Sequence, residues 1–261
     1  MKLLLLLLVL SAAVRATPPT KLSRPAARKP AVALSSPVFF RQHNLAPLWA
    51  LNAQSGQPQV LIGCMGPQYR RLELVYERVR RDSKNRQLYH VWGQSRERER
   101  IMPFRGTILL TAVKKVRPQH PAEDFRALAH YQAAGRFRFR EDPAGEGSGQ
   151  LSGTLTMTFS RVAGGLAYMP GQSGGWDYPM PGEGSRFTST WTSAAHPEPV
   201  KLVWATNFMD IANTVIERFL IGDRGVHINP KYARLGWSRY WENDEWWAEA
   251  GTVVARTTPL R

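Results

Sequence analysis

The chain has 261 residues, a formal net charge of +15 and 43% hydrophobic residues, which is enough length and apolar content for a folded core. Its single cysteine excludes a disulfide framework, so the fold must rest on ordinary burial. A charge this large excludes an acidic, self-repelling surface, but fits both a polyanion partner and a plain solvated face.

The chain begins with Lys2, the apolar run Leu3 to Leu10 and small residues before Thr17, the build of a secretory signal peptide over residues 1–16. Such a run is too short for a permanent membrane span, and no later segment reaches about 20 consecutive apolar residues. A soluble, exported protein of the periplasm or extracellular space is therefore expected. Residues 17–37 hold five prolines among Ala, Ser, Lys and Arg with no acid, a composition too poor in apolar groups to fold and expected to be a disordered linker. A single mainly-β domain is expected over residues 38–261, opening near Phe39 and Phe40 or at Leu48 and Trp49.

Val60 to Met65 is a short apolar run ended by Gly66 and Pro67, with Cys64 inside it as a buried thiol. Leu72 to Glu77 and Leu88 to Gly93 flank the polar Asp82 to Asn85, which predicts a hairpin; Leu72, Val75, Tyr76 and Val79 also match helical spacing. Strands follow at Phe104–Val113, Arg136–Arg140 and Leu151–Phe159, the last two alternating as a half-wet antiparallel strand requires. A Gly-Thr-Ile/Leu pattern recurs at Gly106 and Gly153, as two equivalent strands would show, but six matching positions are too few to claim a duplication. Between them, Phe125, Leu128, Ala129 and Gln132 predict a short helix over Ala122–Ala134.

Arg186–Thr192 and Val200–Ala205 predict two more strands. Phe208, Ile211, Ala212, Val215, Ile216 and Phe219 then have helical spacing, with Asn207 and Asp210 as caps and Gly222 as a stop. The competing structure is a hairpin turning at Gly222-Asp223-Arg224-Gly225. The expected fold is an antiparallel β-sandwich or open barrel with one or two packed helices.

Two places attract functional attention. The Gly- and Pro-rich stretch from Gly164 to Ser185 is long for a connection and presents Tyr168, Trp176 and Tyr178, as a binding loop would. Within it Gly171, Ser173 and Gly175 match a nucleophile-elbow pattern, but Pro170 and the absence of a βα context make it a glycine-rich loop. Near the C-terminus, Trp237, Tyr240 and Trp241 stand with Glu242, Asp244 and Glu245, rings that could stack on sugars beside carboxylates that could bond hydroxyls. The competing reading makes these tryptophans, with Trp246 and Trp247, a core plug.

The six histidines have no metal-ligand spacing, and no cofactor motif is present, so neither metal nor cofactor is expected. Fourteen Lys or Arg stand against five acids from Gly66 to Arg117, while residues 118–261 nearly balance, so the basic excess lies in the first half. No nucleic-acid fingerprint accompanies it, and nucleic acid is not expected as a partner. These features predict a non-catalytic binding or structural role at the cell envelope, with an anionic or glycan partner. The alternative is a secreted hydrolase of carbohydrate that uses a carboxylate pair.

Overall fold

The computed structural model describes residues 36–50, 59–118, 125–171, 182–208, 210–211, 219–222, 225–228, 230–239 and 245–248. Its strands arise where apolar and polar residues alternate. In β5 (Ala129–Glu141), Tyr131, Ala133, Phe137 and Phe139 are buried while Arg136, Arg138 and Arg140 are exposed, which fixes one face inward.

Strands β1 (Val60–Met65), β2 (Arg70–Arg81), β3 (Leu88–Glu97), β4 (Arg100–Val116), β5 and β6 (Gly149–Val162) form an antiparallel meander. The short β7 (Gly165–Ala167) extends the wall beside the end of β6. Then β8 (Gly184–Ser193) pairs with β6, β9 (Val200–Ala205) pairs with β8, and β9 returns to β1. The protein is mainly β, as expected, but the sheet is neither a sandwich nor an open barrel. It closes as an eight-stranded antiparallel barrel, because β9–β1 pairing joins its two ends.

Closure demands strong coiling, and inward-facing glycines permit it. A Cβ on Gly106 would lie 2.0 Å from the Arg138 carbonyl oxygen, and one on Gly153 would lie 2.0 Å from that of Thr188. The two positions that share a sequence pattern thus share a role, letting β4 and β6 approach their neighbours closely.

The barrel is packed with rings. Tyr76 meets Phe104, Phe139 and Phe187 edge-on, at centroid distances of 5.9, 5.7 and 6.0 Å. Its hydroxyl accepts a 3.2 Å bond from Trp204 Nε1, so the polar atoms of two fully buried side chains satisfy each other. Helices α1 (Ser36–Gln42) and α2 (Pro47–Ala50) plug one end. Phe39 packs against Tyr131 and Phe159, and Trp49 stands edge-on to Tyr89 while donating Nε1 to Ser185 Oγ. Arg81 Nη1 donates to the carbonyls of Phe40 and His43, which ties the C-terminal end of α1 to the barrel.

The C-terminal segment covers part of the outer wall. Phe208, Ile211, Tyr232, Leu235 and Trp237 cluster on Cys64 and Ala205, outward residues of β1 and β9. Here β10 (Phe219–Gly222) pairs with β11 (Gly225–Ile228), followed by α3 (Pro230–Ala233) and a 3-10 turn at Trp237–Arg239.

Local expectations resolve unevenly along the chain. The helix expected from Phe208 is helical at its described residues 210–211, whereas Phe219 opens the β10–β11 hairpin turning between Gly222 and Gly225; residues 212–218 lie outside the described residues. The helix expected over 122–134 is instead the start of β5, since the two-residue alternation of Ala129, Tyr131 and Ala133 can bury one face against the core. Residues 119–124 lie outside the described residues. The β2–β3 hairpin forms, with a bulge between Val75 and Arg78 that returns Arg78 and Arg80 to the outer wall beside Trp92 and His90. Among the described residues, no helix is long and apolar enough to cross a membrane.

Candidate functional site

Because β5 sends every second residue outward, Arg136, Arg138 and Arg140 form a line of cations about 7 Å apart. Strand pairing widens the line into a field. One row across the wall runs Arg78, Trp92, Arg105, Arg140, and the next runs Arg80, His90, Thr107, Arg138. Adjacent strands sit about 4.8 Å apart, so six guanidinium groups share one face. None of the six forms an ion pair with a carboxylate among the described residues. Outward arginines are also the reverse of a lipid-facing barrel wall, which carries an apolar band.

The acid that bonds His90 at the edge of this field is already engaged. Asp82 accepts bonds from the backbone N–H groups of Asn85 and Lys84 and lies 3.0 Å from His90 Nε2. The Asn85 bond first, then the His90 and Lys84 bonds, hold its carboxyl down to about 2. It remains an anion that serves its own turn rather than the arginines.

The end opposite the plug opens into a cavity of about 320 Å³. Leu72, Leu151 and Leu202 give it an apolar floor, and Trp191, Arg70, Arg100 and Glu97 stand at its rim. The buried Glu141 closes one side. Its Oε2 accepts from Gly149 N at 2.9 Å and from Trp191 Nε1 at 3.2 Å, and its Oε1 accepts from Ser95 Oγ at 3.4 Å. Arg100 Nη2 stands 3.6 Å from the carboxylate and donates to the carbonyls of Glu146 and Gly147, bracing the β5–β6 turn across the mouth.

A third cluster lies at the plugged end. Ser160 Oγ is 2.6 Å from His130 Nδ1 and donates to Glu183 Oε1 at 2.8 Å, while that oxygen lies 3.1 Å from the same Nδ1. A nucleophilic relay needs the serine on one ring nitrogen and the acid on the other. Here both use one nitrogen, and Ser160 is fully buried. Glu183 also accepts from Met169 N, so the cluster ties β5 and β6 to the segment leading into β8.

The residues singled out from sequence are not gathered in one place. Tyr168 is half-buried against the barrel core, its hydroxyl 2.9 Å from Ser185 Oγ, and burial pushes it above the ordinary tyrosine range. Trp237 is fully buried on the outer wall, 5.4 Å from Phe208, and donates to the Tyr69 carbonyl at 2.6 Å. Trp246 and Trp247 are buried against Val75, and Glu245 is exposed with a φ of 42°. Trp176, Tyr178, Tyr240, Trp241, Glu242 and Asp244 lie outside the described residues, as does Ser173. Burial pushes the Cys64 thiol up to about 12, so it stays protonated and inert.

Sequence reading missed the mouth, whose polar residues come from strand ends far apart in the chain. The available signal was an acid at an inward position, since Glu141 continues the buried series Phe137, Phe139 in β5. Among the described residues, no group of three or more His, Cys, Asp or Glu is placed to hold a metal ion. In comparisons with family models, curated proteins and solved structures, the chain matches none.

Proposed function

We propose that the chain is a non-catalytic binding protein of the cell envelope whose basic barrel wall docks a partner bearing several phosphate, sulfate or carboxylate groups. The observation that carries this reading is the face made by Arg78, Arg80, Arg105, Arg136, Arg138 and Arg140, exposed and without carboxylate partners among the described residues. Six cations held on a rigid sheet repel one another, and a multivalent anion relieves that repulsion while gaining bidentate guanidinium bonds. Trp92 and the hydroxyls of Thr107 and Ser152 lie in the same field and suit a partner with sugar or headgroup surface between its charges. The N-terminal signal-like segment supports an envelope setting, where lipid phosphates and acidic polysaccharides are the abundant polyanions.

The hydrolase reading gains nothing from the mouth. Its candidate carboxylates are Glu242, Asp244 and Glu245; the first two lie outside the described residues and Glu245 is exposed. The deciding experiment is chromatography on a sulfated or phosphorylated matrix at rising salt. The wild type should bind at low ionic strength and the triple variant R136Q/R138Q/R140Q should elute at clearly lower salt. Identical elution of the two folded proteins would refute docking through this wall.

A further inference from the structure

We infer that the open mouth of the barrel is a second, separate binding site, for a small organic acid with a flat apolar body. An eight-stranded barrel has room either to fill itself with side chains or to hold one small ligand. This one does the first over most of its length and, among the described residues, leaves a cavity at the end opposite the helical plug. The cavity of about 320 Å³ lies at the lower bound of small-molecule sites, so it suits one or two fused rings and not a polymer.

The lining says what such a molecule must be. The floor of Leu72, Leu151 and Leu202 offers only dispersion and the exclusion of water, which favours an apolar body. Trp191 is locked in place because its Nε1 is bound to Glu141, and its ring makes a fixed wall beside that floor. The rim then offers a cation. Arg100 is the lesser candidate, since its Nε and Nη2 already donate to the Glu146 and Gly147 carbonyls and its Nη2 faces Glu141. Arg70 differs: Glu97 Oε1 sits 2.8 Å from its Nε, and no hydrogen bond engages its two terminal nitrogens among the described residues. Those nitrogens are the edge of a guanidinium that binds carboxylates in fork-to-fork pairs. Glu97 pairs in charge with the Nε side of this guanidinium and leaves its terminal nitrogens clear. An apolar floor, a fixed indole and one oriented guanidinium edge together specify a carboxylate carried on an apolar ring.

The test uses the full chain and two probes, 2-naphthoate and its uncharged analogue 2-naphthalenemethanol, titrated by calorimetry. One naphthoate should bind per chain, roughly tenfold or more tightly than the alcohol. Arg70→Gln should bring naphthoate down to the affinity of the alcohol, with the melting temperature checked to confirm folding. Val200→Trp, at a half-buried rim position, should block both probes. The wall variant R136Q/R138Q/R140Q should leave naphthoate binding unchanged, which separates this site from the basic face. Absence of naphthoate binding to the wild type, binding that survives Val200→Trp, or equal affinity of Arg70→Gln and wild type for naphthoate would each overturn the proposal.

Discussion

The Arg78 guanidinium lies 4.0 Å from the ring centroid of Trp92, its partner across the β2–β3 pair. The bulge between Val75 and Arg78 makes the contact possible by restoring outward register after the inward Tyr76. Trp92 thus organises the wall as well as decorating it: Arg80 also approaches its ring, at 6.0 Å, and His90 packs at 6.2 Å. A double-mutant cycle of Arg78→Gln and Trp92→Leu, followed by urea unfolding, should show a coupling of about 0.5–1 kcal/mol. Independent, additive losses would mean that the ring and the guanidinium do not interact in solution.

Tyr76 and Trp204 form a polar contact inside the aromatic interior. Tyr76→Phe keeps the ring and its three edge-on neighbours but strips the acceptor from a fully buried indole N–H. The expected cost is about 1–3 kcal/mol in urea unfolding, the penalty of one unsatisfied buried donor. A neutral substitution would show that water or a shift of the indole satisfies Nε1 instead.

Gly106 carries a heavier constraint. A methyl group there would meet the Arg138 carbonyl oxygen at 2.0 Å and the Phe139 Cα at 2.7 Å, both backbone atoms of a paired strand that cannot turn aside. Gly106→Ala should therefore cost more than about 3 kcal/mol and lower the yield of folded protein. Ala on Gly164, where a Cβ would meet nothing within 4 Å, should be nearly silent in the same assay.

These constraints explain how much the sequence could disclose. Strands announce themselves through two-residue alternation, and β5 and β6 were legible for that reason. Closure was not, because it depends on β9 finding β1 some 140 residues away, and pairing of such distant segments leaves no local pattern. The recurring Gly106 and Gly153 were visible as a repeat, yet their meaning lies in the backbone across the strand. The basic wall was half legible. A running count of charge places the excess before Arg117 and misses Arg136, Arg138 and Arg140, because acids elsewhere in the second half cancel them in the sum but not on the surface. The C-terminal tryptophans show the opposite problem: from sequence Trp237 leans only slightly towards a plug over a sugar platform, and its burial against Phe208 and its bond to the Tyr69 carbonyl give it a place.

Asp210 offers a test of the outer layer, where the C-terminal segment meets the barrel. Its carboxyl is raised from 3.8 to about 6, chiefly because burial disfavours the anion and despite the opposing pull of Arg186. In the unfolded chain the group ionises near its ordinary value, so between about pH 4 and 6 the native state holds a proton that the unfolded state has lost. The contribution of this residue is therefore fully present below pH 4, falls as the pH rises through 6 and stays reduced at neutrality. Asp210→Asn keeps the shape and removes the charge. Relative to wild type it should gain on the order of 1 kcal/mol at pH 7, allowing for partial solvent screening, and nothing at pH 3.5. Urea midpoints of both proteins at the two pH values measure this directly, and taking the difference between them removes every other titrating group. A gain of equal size at both would assign the effect to the amide rather than to the buried charge.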